Sequence, residues 1–311
     1  MFNQDSERSK GVIFVIGSYL IWGTLPLYWK MLQEFSSLRI LGHRIIWGLV
    51  FLLCFLIITR KWYAFWAEVK KITCQPRKLL AVILTGFLLN LNWLTFIWAV
   101  NNDRIIQTSL GYYINPLINV LLGIVFLRER LSFWQLAAFG LAAAGVLSLT
   151  VQYGAFPVVA LTLAVSFSIY TLLKKLIDID PITGLTLETM LTSVFALGCL
   201  LYANIAENDG ALQLTVTPVA FLFVGAGIVT AAPLMLYTIG ARLLPLFAVG
   251  FFQYISPTMT LFLGVVIFHE PFTRAHLFSF LAIWISLILF SLSKTPVFLK
   301  WEKKLNAFRA S

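Results

Sequence analysis

The stretch YINPLINVLLGIVFLRE, residues 113–129, returns 141 positions later as YISPTMTLFLGVVIFHE, residues 254–270, with no gap in either copy. Tyr113, Ile114, Pro116, Leu122, Gly123, Val125 and Glu129 fall on Tyr254, Ile255, Pro257, Leu263, Gly264, Val266 and Glu270. Shared hydrophobicity does not explain coincident Pro, Gly and Glu, so the chain is an internal duplication. Each copy belongs to a continuous apolar run without period-two alternation, which specifies helix and not barrel strand.

Working outward, apolar runs bounded by charges and turns predict ten spans, near 11–29, 40–59, 79–99, 105–127, 133–151, 155–173, 184–204, 217–240, 245–268 and 276–293. The fold class is an all-α integral membrane protein. Composition agrees: 60% of the 311 residues are hydrophobic and 12% charged, against about a quarter charged in a soluble domain. That excludes a soluble enzyme, a secreted disulfide scaffold and a disordered chain. The duplicated halves are 11–151 and 155–293, five spans each, and an odd number of crossings turns the second half upside down. Two inverted five-helix repeats around a shared site are the arrangement of secondary transporters.

Lys and Arg sort sharply between alternate loops. With the N-terminus inside, eighteen lie on the inner side and only Lys30, Arg39, Arg104 and Arg274 on the outer. Both termini are expected in the cytoplasm of a bacterial cell whose inner membrane the chain spans. The bias also accounts for the net charge of +10 without a nucleic-acid partner, which would need the basic residues on one soluble face. Residues 61–72, with Trp62, Trp66 and Val69 opposite Lys61, Lys70 and Lys71, read as an amphipathic helix on the cytoplasmic surface, as does the basic tail 294–311. Cys54, Cys74 and Cys199 form neither a disulfide framework nor a metal spacing.

Within the spans, Glu188 is the one carboxylate and Arg44 the one cation, with His43 beside it. An intramembrane Arg costs about 2.5–3.5 kcal/mol on insertion scales, so each should face a cavity or a partner. Arg44 lies nearer the outer side and Glu188 nearer the inner, which makes a direct pair unfavoured. If transport is coupled to protons, Glu188 is the natural carrier, and His43 is the other group titrating near neutral pH.

Pro116 and Pro257 sit mid-span, each after a Tyr and a small polar residue, Tyr113 with Asn115 and Tyr254 with Ser256. A mid-helix Pro removes a backbone hydrogen bond, and breaks at matching positions of inverted halves point to a midplane binding site. Trp22, Asn92, Trp93, Tyr112, Tyr113, Asn115, Gln253 and Tyr254 are therefore expected to line one cavity for a small organic solute. Asn90, Trp98 and Asn119 lie near them, with Tyr19 and Tyr28 from the first span.

No cofactor or metal is expected. His269-Glu270 is followed by Pro271, and His276 comes too late for a metalloprotease helix; no Walker loop or Gly-x-Ser-x-Gly occurs. An intramembrane transferase-type enzyme would need a catalytic His, carboxylate or nucleophile at a membrane face, and the lack of paired intramembrane carboxylates argues against it. A non-transporting sensor or assembly subunit would need a soluble domain or long loop. The sequence offers neither.

In these motifs the chain resembles the RarD branch of the EamA-type permeases, in the drug/metabolite transporter superfamily. The residues that carry it are Tyr19-Leu20-Ile21-Trp22-Gly23, His43-Arg44 with Trp47, Leu91-Asn92-Trp93 through Asn101-Asn102, and Ser109-Leu110-Gly111-Tyr112 with Asn115-Pro116-Leu117. In the second half they are Glu188-Thr189, Thr230-Ala231-Ala232-Pro233-Leu234, Ala241-Arg242, Gly250-Phe251-Phe252-Gln253-Tyr254-Ile255 with Pro257-Thr258, and Glu270-Pro271. The resemblance implies an inner-membrane permease with a cavity lined by spans one, three, four, six, eight and nine. The name of the branch refers to chloramphenicol sensitivity, which points to drug export. Where many members carry a Pro six residues after the Glu of span seven, this chain has Val194, implying a straighter helix.

Overall fold

Twelve helices form among the residues that a computed structural model describes, namely 2–32, 34–101, 105–153, 158–206, 218–267, 274–293, 295, 298 and 301. They are α1 (Phe2–Lys30), α2 (Ser37–Ile58), α3 (Trp62–Thr73), α4 (Pro76–Asn101), α5 (Ile105–Leu127), α6 (Phe133–Tyr153), α7 (Val158–Leu176), α8 (Pro181–Ala206), α9 (Pro218–Leu243), α10 (Leu246–Gln253), α11 (Ile255–Val266) and α12 (Arg274–Leu292). Among the described residues seven of these are long and apolar enough to cross a membrane, namely α1, α2, α4, α5, α7, α8 and α9, while α6 and α12 contribute shorter apolar stretches. No strand occurs among the described residues.

Local chemistry fixes the helix ends. Ser132 and Gln135 exchange side-chain and backbone hydrogen bonds in a capping box that starts α6. Asp180 caps α8, its carboxylate accepting from the Ile182 and Thr183 amides at 3.1 and 2.9 Å, with Pro181 in the first helical position. Arg60 and Arg128 adopt left-handed φ of 57° and 53°. The Lys61 amide closes back on Leu56 at 2.8 Å and the Arg60 amide on Ile57 at 3.0 Å, so α2 ends in a Schellman turn, while the Glu129 amide reaches Gly123, six residues back, at 3.0 Å in a wider turn that ends α5. Thr and Ser hydroxyls inside the spans mostly donate one turn back, as Thr186 does to Ile182 and Ser18 to Val15, and so need no partner in the apolar surroundings.

Outward faces carry the bare apolar side chains. Ile58, Val151, Val194 and Phe221 are each at least 70% exposed, which suits a lipid solvent. Val194 thus points outward from an α8 that is continuous from Pro181 to Ala206, as its lack of proline implied. Inside, α1 packs on α9 and α11, and α7 packs on α4 and α5. α2 crosses α8 and α9, α4 crosses α8, α5 lies along α10, and α6 pairs with α12.

Two expectations about the elements change. The segment at 61–72 does form a helix, α3, but Phe65, Val69 and Ile72 are its buried face and Trp66 is exposed. That face packs on Leu56, Val82, Ile182 and Leu187, so α3 closes the ends of α2, α4 and α8 instead of resting on the surface through Trp66. The second change concerns the proline breaks. α5 runs through Pro116 without interruption, whereas the ninth expected span divides into α10 and α11 at Tyr254. α5 is clamped at that level. The Asn115 side chain reaches the Ala164 carbonyl at 2.6 Å and Ser168 at 2.8 Å on α7, while Gly250 of α10 rests on the Pro116 carbonyl from the other side. Pro257 instead falls in the first turn of α11, where a missing N–H costs little. Most of the tail expected at 294–311 lies outside the described residues, apart from Thr295, Phe298 and Trp301; the Phe298 ring packs edge-on against Trp134 at 5.1 Å. The ends expected at 155, 217 and 268, and the Glu270-Pro271 pair, also lie outside them.

Candidate functional site

Polar side chains gather inside the bundle in three places. The first is at the end that carries α3. Because α8 starts at Pro181, Glu188 lies seven residues in, about 10 Å along the axis. Its carboxylate, 2% exposed, sits 3.0 Å from the ammonium of Lys174 on α7. Thr85 of α4 donates to it at 2.7 Å and Tyr170 of α7 at 3.5 Å. The Lys174 ammonium lies over Gly184, where a side chain would crowd it. A cavity of about 10 Å³, bordered by Val82, Lys174, Gly184, Glu188 and Arg242, adjoins the pair and has room for about one water.

The second place holds Arg44, seven residues into α2 from the opposite end. Its Nε donates to the Thr230 hydroxyl of α9 at 3.2 Å. Its guanidinium lies over the rings of Trp93 on α4 and Trp29 on α1, at 4.6 and 5.1 Å, a geometry that holds a cation by the ring quadrupoles. Tyr112 of α5 is close enough to feel that charge. Tyr112 is 41% exposed, and its ring lies 6.0 Å from that of Phe96 on α4. His43 faces the other way: its ring stacks on Phe223 at 4.5 Å, beside Arg39.

The third is a chain of amides along α5. Asn92 donates to the Leu163 carbonyl at 2.9 Å and to Ser166 at 3.0 Å, so it grips α7, as Asn115 does one helix away. Asn119 donates to the Gln253 side chain at 2.9 Å, joining α5 to α10. The two repeat tyrosines then cross. The Tyr254 hydroxyl donates to the Tyr113 carbonyl at 3.3 Å and the Tyr113 hydroxyl to the Pro257 carbonyl at 3.4 Å. Both rings pack among Ala142, Val146 and Ile283, on the side of α6 and α12.

The residues expected around one cavity therefore divide. Trp93 and Tyr112 stand with Arg44. Trp22 joins Tyr19, Phe167 and Tyr237 in an aromatic cluster of α1, α7 and α9, with ring centroids 5.4–6.0 Å from Trp22. Asn92, Asn115 and Gln253 bind neighbouring helices, and Tyr113 and Tyr254 cement the crossing of α5 with α10 and α11. Arg44 and Glu188 do not pair. The sequence reading missed Lys174, Thr85, Tyr170 and Thr230. Lys174 was placed in a basic loop, but it is the last turn of α7 that carries it, and the tight α7–α8 connection folds it back over Gly184.

The sequence profile of the EamA-like transporter family matches the chain twice, over residues 9–151 and 156–292. The chain belongs to the EamA-like transporter family. Within this family it is 44% identical, over 96% of its own length and 98% of the relative's, to the uncharacterized transporter YojE of Bacillus subtilis. It is 37% identical to the protein RarD of Escherichia coli, over 92% of this chain and 95% of that one, which places it among the RarD-type EamA permeases. The chloramphenicol-sensitive protein RarD of Pseudomonas aeruginosa is 28% identical over 90% of this chain and 93% of that one. One solved crystal structure superposes with a TM-score of 0.68 over 93% of this chain and 99% of its own, at 17% identity, so the two share a fold. The chain is a multi-pass membrane transporter.

Proposed function

We propose that this permease exports small organic solutes across the bacterial inner membrane by alternating access, using ten spans arranged as two inverted five-helix halves with both termini in the cytoplasm. In this reading α10 and α11 together make one span and α3 makes none. The observation that carries it is a matched pair of helix crossings. A Cβ on Gly227 of α9 would overlap the backbone of Trp47 and Gly48 on α2. Gly86 of α4 meets Glu188 of α8, and each of its members lies 141 residues from its counterpart: 86 to 227, 47 to 188. That second crossing is looser: a Cβ on Gly86 would meet Thr192 and the Glu188 backbone at ordinary van der Waals distances of 3.7–3.9 Å. The packing of α1 on α9 and α11 likewise answers that of α7 on α4 and α5. A rocking motion that tightens one crossing while loosening the other exposes the central cavity to each side in turn.

Glu188 sits at the looser crossing and is the proposed coupling group. Protonation would release Lys174 and remove the charge that holds α7 to α8. Purified protein in proteoliposomes, loaded with the solutes that accumulate outside overproducing cells, tests the reading. An imposed pH gradient should drive their movement, and Glu188→Gln should uncouple it. Flux indifferent to the gradient in the wild type would reject the coupling role.

A further inference from the structure

We infer that Arg44 is the receptor for an anionic group of the transported solute, so that the substrate class is a small aromatic or otherwise flat organic carboxylate or phosphate. This rests on the transporter reading above. Lys174 is neutralised by Glu188, and Lys175 and Arg242 at the same end donate to the Leu244 and Ile179 carbonyls. Arg44 has no carboxylate partner among the described residues. One guanidinium N–H is used on Thr230, and the rest of that planar fork has a geometry suited to two parallel bonds to carboxylate or phosphate oxygens. The indoles of Trp29 and Trp93 fix the guanidinium without consuming its donors.

The neighbours point the same way. Trp47, three residues further along α2, buries an indole N–H that has no acceptor among the described residues, a second unsatisfied donor one turn from Arg44. A buried donor left unpaired is unfavourable until a ligand supplies the acceptor. Trp93 and Tyr112 present apolar ring surface beside the charge, which suits a flat organic body and not a bare inorganic ion.

The test is binding to the full chain in phosphatidylcholine nanodiscs, read by thermal stabilisation, with a panel of arylcarboxylates such as indole-3-acetate, each matched to its primary amide. Carboxylates should stabilise the wild type and their amides should not. Arg44→Gln should weaken carboxylate binding roughly ten- to a hundredfold, with Arg44→Lys intermediate. If Arg44→Gln does not fold, the wild-type comparison of acid with amide still decides. Amides or amines that bind as well as the acids would overturn the anion assignment while leaving transport of neutral solutes intact. A panel in which no acid binds would overturn it too, since the topology and flux experiments judge the transporter reading separately. Stabilisation that appears only when phosphatidylglycerol is added would place a lipid headgroup at Arg44 and reject the solute.

Discussion

Glu188 takes its counter-charge from Lys174, fourteen residues earlier, and not from Arg44, the other intramembrane charge visible in the sequence. The two side chains are 2% and 9% exposed. Removing one partner of such a pair leaves the other charge buried, at a cost of about 3–5 kcal/mol, whereas removing both is nearly neutral. Lys174→Met and Glu188→Gln should each lower the melting temperature of the detergent-solubilised protein, the former more, because Gln keeps the bond from Thr85. The double substitution should recover most of the loss. Additive losses in the double variant would show that the pair is not coupled.

The matched glycines give a second expectation. Gly227→Ala has no room in the observed arrangement and should destabilise it, whereas Gly86→Ala meets ordinary van der Waals distances and should fold normally. If the two crossings exchange during transport, Gly86→Ala must still block the partner state. Solute flux should fall several-fold with unchanged thermal stability, and wild-type flux in Gly86→Ala would contradict the exchange.

At the end of α5 the turn at Arg128 swings Glu129 across to α10, where its oxygens accept from the Leu246 and Phe247 amides at 2.6 and 3.0 Å. A carboxylate on a helix N-terminus contributes about 1–2 kcal/mol. Glu129→Ala should raise hydrogen exchange at residues 246–249 by roughly tenfold, with α2 and α8 unaffected. Unchanged exchange there would mean that α10 does not depend on this clasp.

Membrane orientation is testable with a native residue. Cys74 is exposed just beyond α3, on the side where Lys and Arg concentrate. An impermeant maleimide should label it in inverted vesicles and not in intact spheroplasts. Labelling of Cys74, or of a cysteine placed at Lys70, from outside would overturn both the orientation and the inverted arrangement.

Much of this was legible in the sequence, because in a bilayer the length of an apolar run and the side on which charges fall are dictated by the solvent. Each expected span falls on a helix, the ninth on the pair α10 and α11, although α1 begins at Phe2, nine residues before the expected start. The site was harder. Neighbours on a helix point about 100° apart, so Tyr112, Tyr113 and Asn115 reach three different surroundings: Phe96 of α4, the α6–α12 side and α7. Reading them as one pocket overlooked that rotation. Proline was overread for a related reason. Whether its lost hydrogen bond becomes a break depends on what grips the helix there, and Asn115 ties α5 to α7, a grip that Ser256 does not repeat among the described residues. Lys174 was hidden because a lysine near a helix end looks the same whether it anchors in headgroups or folds inward. Only the packed α7–α8 hairpin distinguishes the two.

The exchange of the two crossings is measured most directly by electron–electron distance measurements in nanodiscs. The background lacks Cys54, Cys74 and Cys199, with one spin-label pair at Glu34 and Pro218, across the ends of α2 and α9, and another at Arg77 and Asp178, across α4 and the α7–α8 turn. The account predicts two distance populations for each pair that shift in opposite directions as pH is lowered or Glu188 is changed to Gln, one pair lengthening as the other shortens. Two pairs that hold a single distance, or that lengthen together, would contradict it.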